Sequence, residues 1–177
     1  MTDNVKPKLR SKIMSSIKGS NTRPELLVRR GLWSSGIRYR VNDTSVFGVP
    51  DISIKGRKVA IFVDGCFWHG CPYHYRTPST RPLFWAAKLR ANKTRREEVR
   101  LRLVSEGWLV LEVWEHDVLS DPRATVEEMA SQVGARTIRS HRPITRKGST
   151  CMGRLGGAAT SGARIYLPSR KGAVSSP

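Results

Sequence analysis

The sequence is short of acid. Fourteen Asp and Glu stand against 32 Lys and Arg in 177 residues, a formal net charge of +18. Such an imbalance points to polyanions, of which nucleic acid is the commonest, although ribosomal-type and membrane-surface proteins share it. No run of about 18 apolar residues occurs, so no membrane-spanning helix is expected. The opening MTDNVKPKLRSK has no apolar stretch, which argues against a secretory signal and for a cytoplasmic, nucleoid-associated protein. Cysteine is scarce and odd in number. Cys66 and Cys71 lie among histidines and read as metal ligands rather than a disulfide; Cys151 sits in polar surroundings and reads as a free thiol. From residue 134 onward there is no acidic residue at all and no sustained apolar period, so 134–177 is read as a disordered basic tail that adds nonspecific attraction to phosphate. No internal repeat is present.

What remains suits one domain, residues 21–133, behind a basic arm at 1–20. NTRPELLVRRGLWSSG reads as a helix, with Asn21 or Thr22 as cap, Pro24 in the first turn and Gly36 as the stop; Leu26, Leu27, Arg30 and Trp33 fall near helical spacing. IRYRV, VPDISI and KVAIFVD follow as strands, the last apolar almost throughout, as a strand covered on both faces would be. RPLFWAAKLRANKTRREEVRLRLVSEG reads as a long helix closed by Gly107, WLVLEVWEH as a fourth strand, and DPRATVEEMASQVG as a last helix. A strand–helix–strand passage favours a parallel pair, so the expected class is α/β with a mixed sheet flanked by helices.

The chemistry gathers in VPDISIKGRKVAIFVDGCFWHGCPYHY. A short hairpin over KGRK can bring Asp51 and Asp64 to one end of the sheet. Two carboxylates there, in a basic protein, suit a hard divalent cation held through oxygen, which can activate water and neutralise a scissile phosphate. Cys66, Cys71 and His74 have the spacing C-x4-C-x2-H and lack a fourth ligand. His69 supplies one locally. His116 supplies the other choice if the fourth strand runs beside the third. Two Cys and two His suit tetrahedral zinc, and the choice of His116 frees His69, whose ordinary pKa lies near working pH, for proton transfer.

These residues also carry a resemblance. GCFWHGCPYH, preceded by PD and followed by FW..K...N and GW.V...WEH, together with the opening RSKIMSSIKGSNTRPE, resembles the very-short-patch-repair (Vsr) DNA mismatch endonucleases over about residues 10–118. The resemblance implies a restriction-endonuclease-like fold. It implies nicking of one strand beside the T of a T:G mismatch left by deamination of 5-methylcytosine, hence a functional link to a cytosine-5 DNA methyltransferase. It assigns catalytic magnesium to Asp51 and the Val63 carbonyl, an acid to Glu25, general acid or base work to His69, and structural zinc to Cys66, Cys71, His74 and His116. Phe67, Trp68 and Trp85 would wedge into the duplex beside the mismatch. Two positions depart from the family's usual pattern. Asp64, where His or Asp occurs, would join the magnesium or orient water, and Arg96 follows Arg95 where an Arg-Asp pair is usual.

Several of these residues have ordinary readings as well. Thr22-x-x-Glu25 is a capping box. Phe67 and Trp68 could be core, although a glycine-flanked loop suits wedges better, and a mispaired step unstacks more cheaply than a paired one. Trp85, Lys88, Asn92 and Arg95 form one helical stripe, either solvated or following DNA phosphates. The expected protein is a monomeric Mg-dependent endonuclease on double-stranded DNA. Its rivals are a restriction or defence nuclease without mismatch preference and a noncatalytic zinc-stapled DNA-binding module.

Overall fold

The computed structural model describes Leu9, residues 19–136 and residues 164–167. Its middle is the apolar run β3 (Val59–Asp64), paired antiparallel to β2 (Ile52–Ile54) and parallel to β4 (Leu109–Trp114). β1 (Arg40–Val41) and β5 (Arg164–Tyr166) are the edges of a five-stranded mixed sheet in the order β1-β2-β3-β4-β5. The strong parallel register, Val59 opposite Leu109 through Asp64 opposite Trp114, follows from two runs that are buried on both faces.

Alternation along the strands divides the core in two. Val59 and Ile61 join Leu109, Leu111 and Val113 under α1 (Arg23–Ser34) and α5 (Pro122–Ala135). Ala60, Phe62 and Val110 face the other way, against Val99 and Leu103 of α3 (Pro82–Ser105). The short helices α2 (Cys66–His69) and α4 (Glu115–Ser120) follow directly on β3 and β4, so whatever they carry stands at one end of the sheet.

The sequence reading is corrected in four places. IRYRV is a strand only at Arg40–Val41, because Ile37 and Tyr39 turn into the core and the Tyr39 hydroxyl donates to the Arg29 carbonyl at 2.8 Å. WLVLEVWEH leaves the sheet at Trp114, and His116 belongs to α4. On α1 the buried side is Glu25, Val28, Arg29 and Leu32, whereas Leu26 and Trp33 are exposed. Part of the stretch read as a disordered tail is ordered: α5 runs to Ala135, and Arg164–Tyr166 pairs with β4, its alternating Arg-Ile-Tyr suiting an edge strand. The remainder of that stretch, with Cys151, and most of the 1–20 arm lie outside the described residues.

Candidate active site and metal centre

Asp51 stands immediately before β2, at the end of the sheet where β3 outruns its neighbour. Its Oδ2 accepts a hydrogen bond from the Val63 N–H at 2.8 Å. In extended backbone the N–H and C=O of one residue point to the same side, so the Val63 carbonyl faces Asp51 too. Glu25 and Glu115 line the same cleft of about 700 Å³, with Trp68, His69 and Arg96. Burial, first of all, and then the neighbouring Glu25 push the Asp51 carboxyl up to about 6, against the lowering effect of the Val63 N–H. A carboxylate held so, beside further acids and the Val63 carbonyl, fits a divalent cation bound through oxygen.

Glu25 is not a helix cap in the expected sense. The Thr22 hydroxyl donates to Glu25 Oε1 at 2.8 Å instead of capping α1, and Glu25 Oε2 accepts from the Asn21 N–H and Arg29 Nη2, both at 2.9 Å. Arg29 is buried with it and also reaches toward the Asp51 carbonyl. A polar pair on the buried side of α1 is costly in a core and makes sense as a wall of this cleft.

The structure does not bring Asp64 to the cation side of the cleft. Strand alternation turns it, 1% exposed, toward α3 and β5 beside Phe62. Arg96 donates to its Oδ1, and Arg164 donates to its Oδ2 at 3.0 Å. With each oxygen held by a guanidinium, Asp64 is better placed to orient His69, whose Nε2 lies 3.8 Å from Oδ1, than to bind magnesium. Burial holds the His69 pKa below its ordinary value despite Asp64, so the ring is neutral at neutral pH and ready to take a proton.

On the far side of α2 the second cluster closes. Cys66, Cys71, His74 and His116 place their ligand atoms within 4.8 Å of one another. Cys66 Sγ is 3.1 Å from His116 Nδ1 and 4.0 Å from His74 Nδ1; Cys71 Sγ is 3.7 and 3.6 Å from the same atoms. Tetrahedral zinc, with bonds of about 2.3 Å to sulfur and about 2.0 Å to nitrogen, sets S and N about 3.5 Å apart. His116 turns its other nitrogen, Nε2, to the Asp117 carboxylate at 3.2 Å, the usual outer partner of a metal-bound imidazole. Burial pushes the Cys66 thiol up to about 12, and a metal cation bound at the sulfur would displace its proton. Of the two candidates for the fourth ligand, the geometry selects His116 and leaves His69 outside the cluster.

α2 thus carries a candidate metal ligand, Cys66, at its start and His69 at its end, with Phe67 and Trp68 between them. These aromatics lie on a helical turn, not in a loop. Phe67 meets Trp68 and Trp85 with ring centroids 5.2 Å apart, and Asn92 Nδ2 donates to the Trp68 carbonyl at 3.0 Å. Lys88, Asn92 and Arg95 line one face of α3 leading from the aromatics to Asp51. Gly70 closes α2 at φ +64°, and a Cβ there would stand 2.8 Å from Leu89 Cδ1 and 2.9 Å from Lys93 Cε of α3. Gly70→Ala is therefore expected to destabilise the domain by roughly 1–3 kcal/mol, read as a lower urea midpoint with unchanged slope.

The sequence reading missed five residues at or beside this site. Arg29 and Glu115 left no signal beyond ordinary helix and strand-end composition. Leu83 and Phe84, exposed apolar residues at the start of α3 beside Trp85, could have been found from their place next to the stripe. Arg164 could not, since it reaches Asp64 from 100 residues away.

The sequence model described as DNA mismatch endonuclease Vsr matches residues 2–75. The chain is 40% identical over 140 residues, 77% of this chain and 99% of the relative, to the type II nicking enzyme V.HpaIIP of Haemophilus parainfluenzae. It is 44% identical over 122 residues, covering 66% of this chain and 74% of the relative, to the type II nicking enzyme V.NaeI of Lentzea aerocolonigenes. It is 35% identical over 126 residues, 70% of this chain and 80% of the relative, to the DNA mismatch endonuclease Vsr of Escherichia coli K12.

Proposed function

Because the chain belongs to the DNA mismatch endonuclease Vsr family and is a DNA endonuclease, we propose that it nicks one strand beside the T of a T:G mismatch by Mg-dependent hydrolysis. The observation that supports this most is one cleft shared by the Asp51 carboxylate, the Val63 backbone, Glu25 and His69, with an aromatic cluster and a basic stripe beside it.

Magnesium would be held by Asp51 and the Val63 carbonyl, with Glu25 and Glu115 near it. When bound, it supplies positive charge against the scissile phosphate and makes a water more acidic. The chain's own part is positioning and proton transfer. Asp51 is fixed by the Val63 N–H. His69, neutral and backed by Asp64, takes or gives a proton at its imidazole. Lys88 and Arg95 offer cations to backbone phosphates, and Phe67, Trp68 and Trp85 offer apolar faces to unstacked bases. Zinc at Cys66, Cys71, His74 and His116 would hold α2 to α4, and so hold His69 and the aromatics in place. The substrate source we infer is methylated cytosine, tying the protein to a cytosine-5 methyltransferase, and the working form we infer is a monomer.

The test is a panel of labelled duplexes carrying each mismatch or full pairing, with and without magnesium. Nicking beside T of T:G at a rate at least tenfold above the paired duplex, and only with the cation, is the expected result; unstacking a mispaired step saves on the order of a kcal/mol or more. Equal cleavage of paired DNA would remove the mismatch assignment, and binding without cleavage would remove the catalytic one.

A further inference from the structure

Behind His69, on the side away from the cation site, two buried carboxylates lie together. Asp64 is 1% and Glu112 2% exposed, and no metal-type cluster includes either among the described residues. Arg96 from α3 serves one oxygen of Asp64. Arg164 serves the other at 3.0 Å and reaches Glu112 Oε2 at 3.5 Å. Sheet register explains the reach, because Arg164 is directly opposite Glu112 in the β4–β5 pair. The strand is anchored twice more: the Arg164 guanidinium lies 4.5 Å from the centroid of Trp114, and that of Arg100 4.0 Å from the centroid of Tyr166. Without Arg164, Asp64 would be left with Arg96 alone, and Glu112 would have no cation at salt-bridge distance among the described residues.

We propose that the strand Arg164–Tyr166 is part of the active site, with Arg164 a positioning residue that balances Asp64 and Glu112 so that Asp64 stays 3.8 Å from the His69 Nε2, placed to pair with the ring once it takes a proton. The proposal rests on the reading of His69 as the proton-transfer residue. Arg164 touches neither substrate nor cation in this scheme. It acts through the fixed orientation of one carboxylate, and misplacing a reacting group by about 1 Å lowers a rate by about a hundredfold.

The experiment compares saturating nicking rates and KM on a T:G duplex for the full chain and its variants, with thermal melting of each. Arg164→Ala is expected to lower kcat by about 10- to 100-fold with KM within about threefold, and Arg164→Lys to recover most of it. Arg123→Ala, which removes one positive charge from the exposed face of α5, is expected to leave kcat unchanged. The deciding variant is Arg164→Ala with Glu112→Gln. It removes one anion along with the cation, so kcat should return to within about fivefold of the wild type. It also keeps the charge balance should Arg164→Ala alone fail to fold. A double variant as slow as Arg164→Ala, or an Arg164→Ala protein that changes KM alone, overturns the proposal, the latter making Arg164 a DNA contact. His69→Ala separates the two layers of argument. An inactive His69→Ala beside a fully active Arg164→Ala removes only the role of Arg164, whereas a His69→Ala that nicks at wild-type rate removes the reading of the site and this inference with it.

Discussion

Asp51→Asn is expected to abolish nicking and, at the same time, to make the protein more stable. The loss follows from the carboxylate's place in the cleft at the end of the sheet, where it accepts the Val63 N–H and stands with Glu25 and Glu115. Removing a cation ligand from a phosphodiester hydrolase forfeits several kcal/mol of transition-state stabilisation, a fall of about a thousandfold or more. Binding to a T:G duplex should persist, because the aromatic cluster and basic stripe are untouched. The gain follows from linkage. The folded-state pKa of Asp51 is raised from 3.8 to about 6, so between these values the folded protein binds more protons than the unfolded chain. Stability therefore falls as pH rises through that window, and the full cost is present above it. Asn keeps an oxygen to accept the Val63 N–H and carries no charge to bury. At pH 7.5 without divalent cation the variant should be more stable by roughly 1–3 kcal/mol, and the difference should vanish below about pH 4. Melting curves at the two pH values check the sign. Magnesium should raise the melting temperature of the wild type and leave that of the variant where it is. A variant that nicks, or one that is less stable at pH 7.5, would contradict the assignment of Asp51.

His116→Ala is expected to cost the protein its bound zinc and much of its stability, while His69→Ala keeps both. The purified wild type should carry about one equivalent of zinc by elemental analysis. The reason is the cluster's economy: two ligands come from the turn after β3, one from the loop beyond it, and the fourth from α4 some 40 residues on. The ion would close that long loop and tie the ends of the two central strands together. Structural zinc sites supply on the order of 10 kcal/mol of folding free energy in small domains, and even a fraction of that shifts the melting temperature by more than about 10 °C here. The nicking rate of the wild type should fall in parallel when a strong chelator strips the zinc, even with magnesium added back in excess. Zinc loss in His69→Ala with retention in His116→Ala would mean that the four ligands are all local to residues 66–74.

Much of this was legible in the chain. β3 and β4 announce themselves as continuous apolar runs, since a strand covered on both faces leaves no polar alternation to confuse it with a loop. Their parallel pairing followed from the long helix between them. The grouping of Cys66, Cys71 and His74 was visible because their close spacing along the chain brings their side chains together in one turn. Asp51 was visible because proline fixes the approach to its strand. The edge strands were harder to read. Two residues of β1 and three of β5 carry almost no period, and β5 lies in a stretch whose composition alone argues for disorder.

The covalent order of residues was enough to show which side-chain types gather locally: carboxylate at a strand tip, thiols and imidazole in a turn, aromatics between them and positive charge around them. These depend on residue type and on neighbours a few positions away, and local spacing records both. Only the tertiary structure decided between residues that compete for one role. It took His116 over His69 into the Cys/His cluster, turned Asp64 away from Asp51 toward two arginines, made Glu25 a wall of the cleft, and brought Arg164 under the site. Each of those outcomes is set by which strands become neighbours and which face a side chain leaves the sheet on. Long-range packing fixes both, and no count of intervening residues contains them.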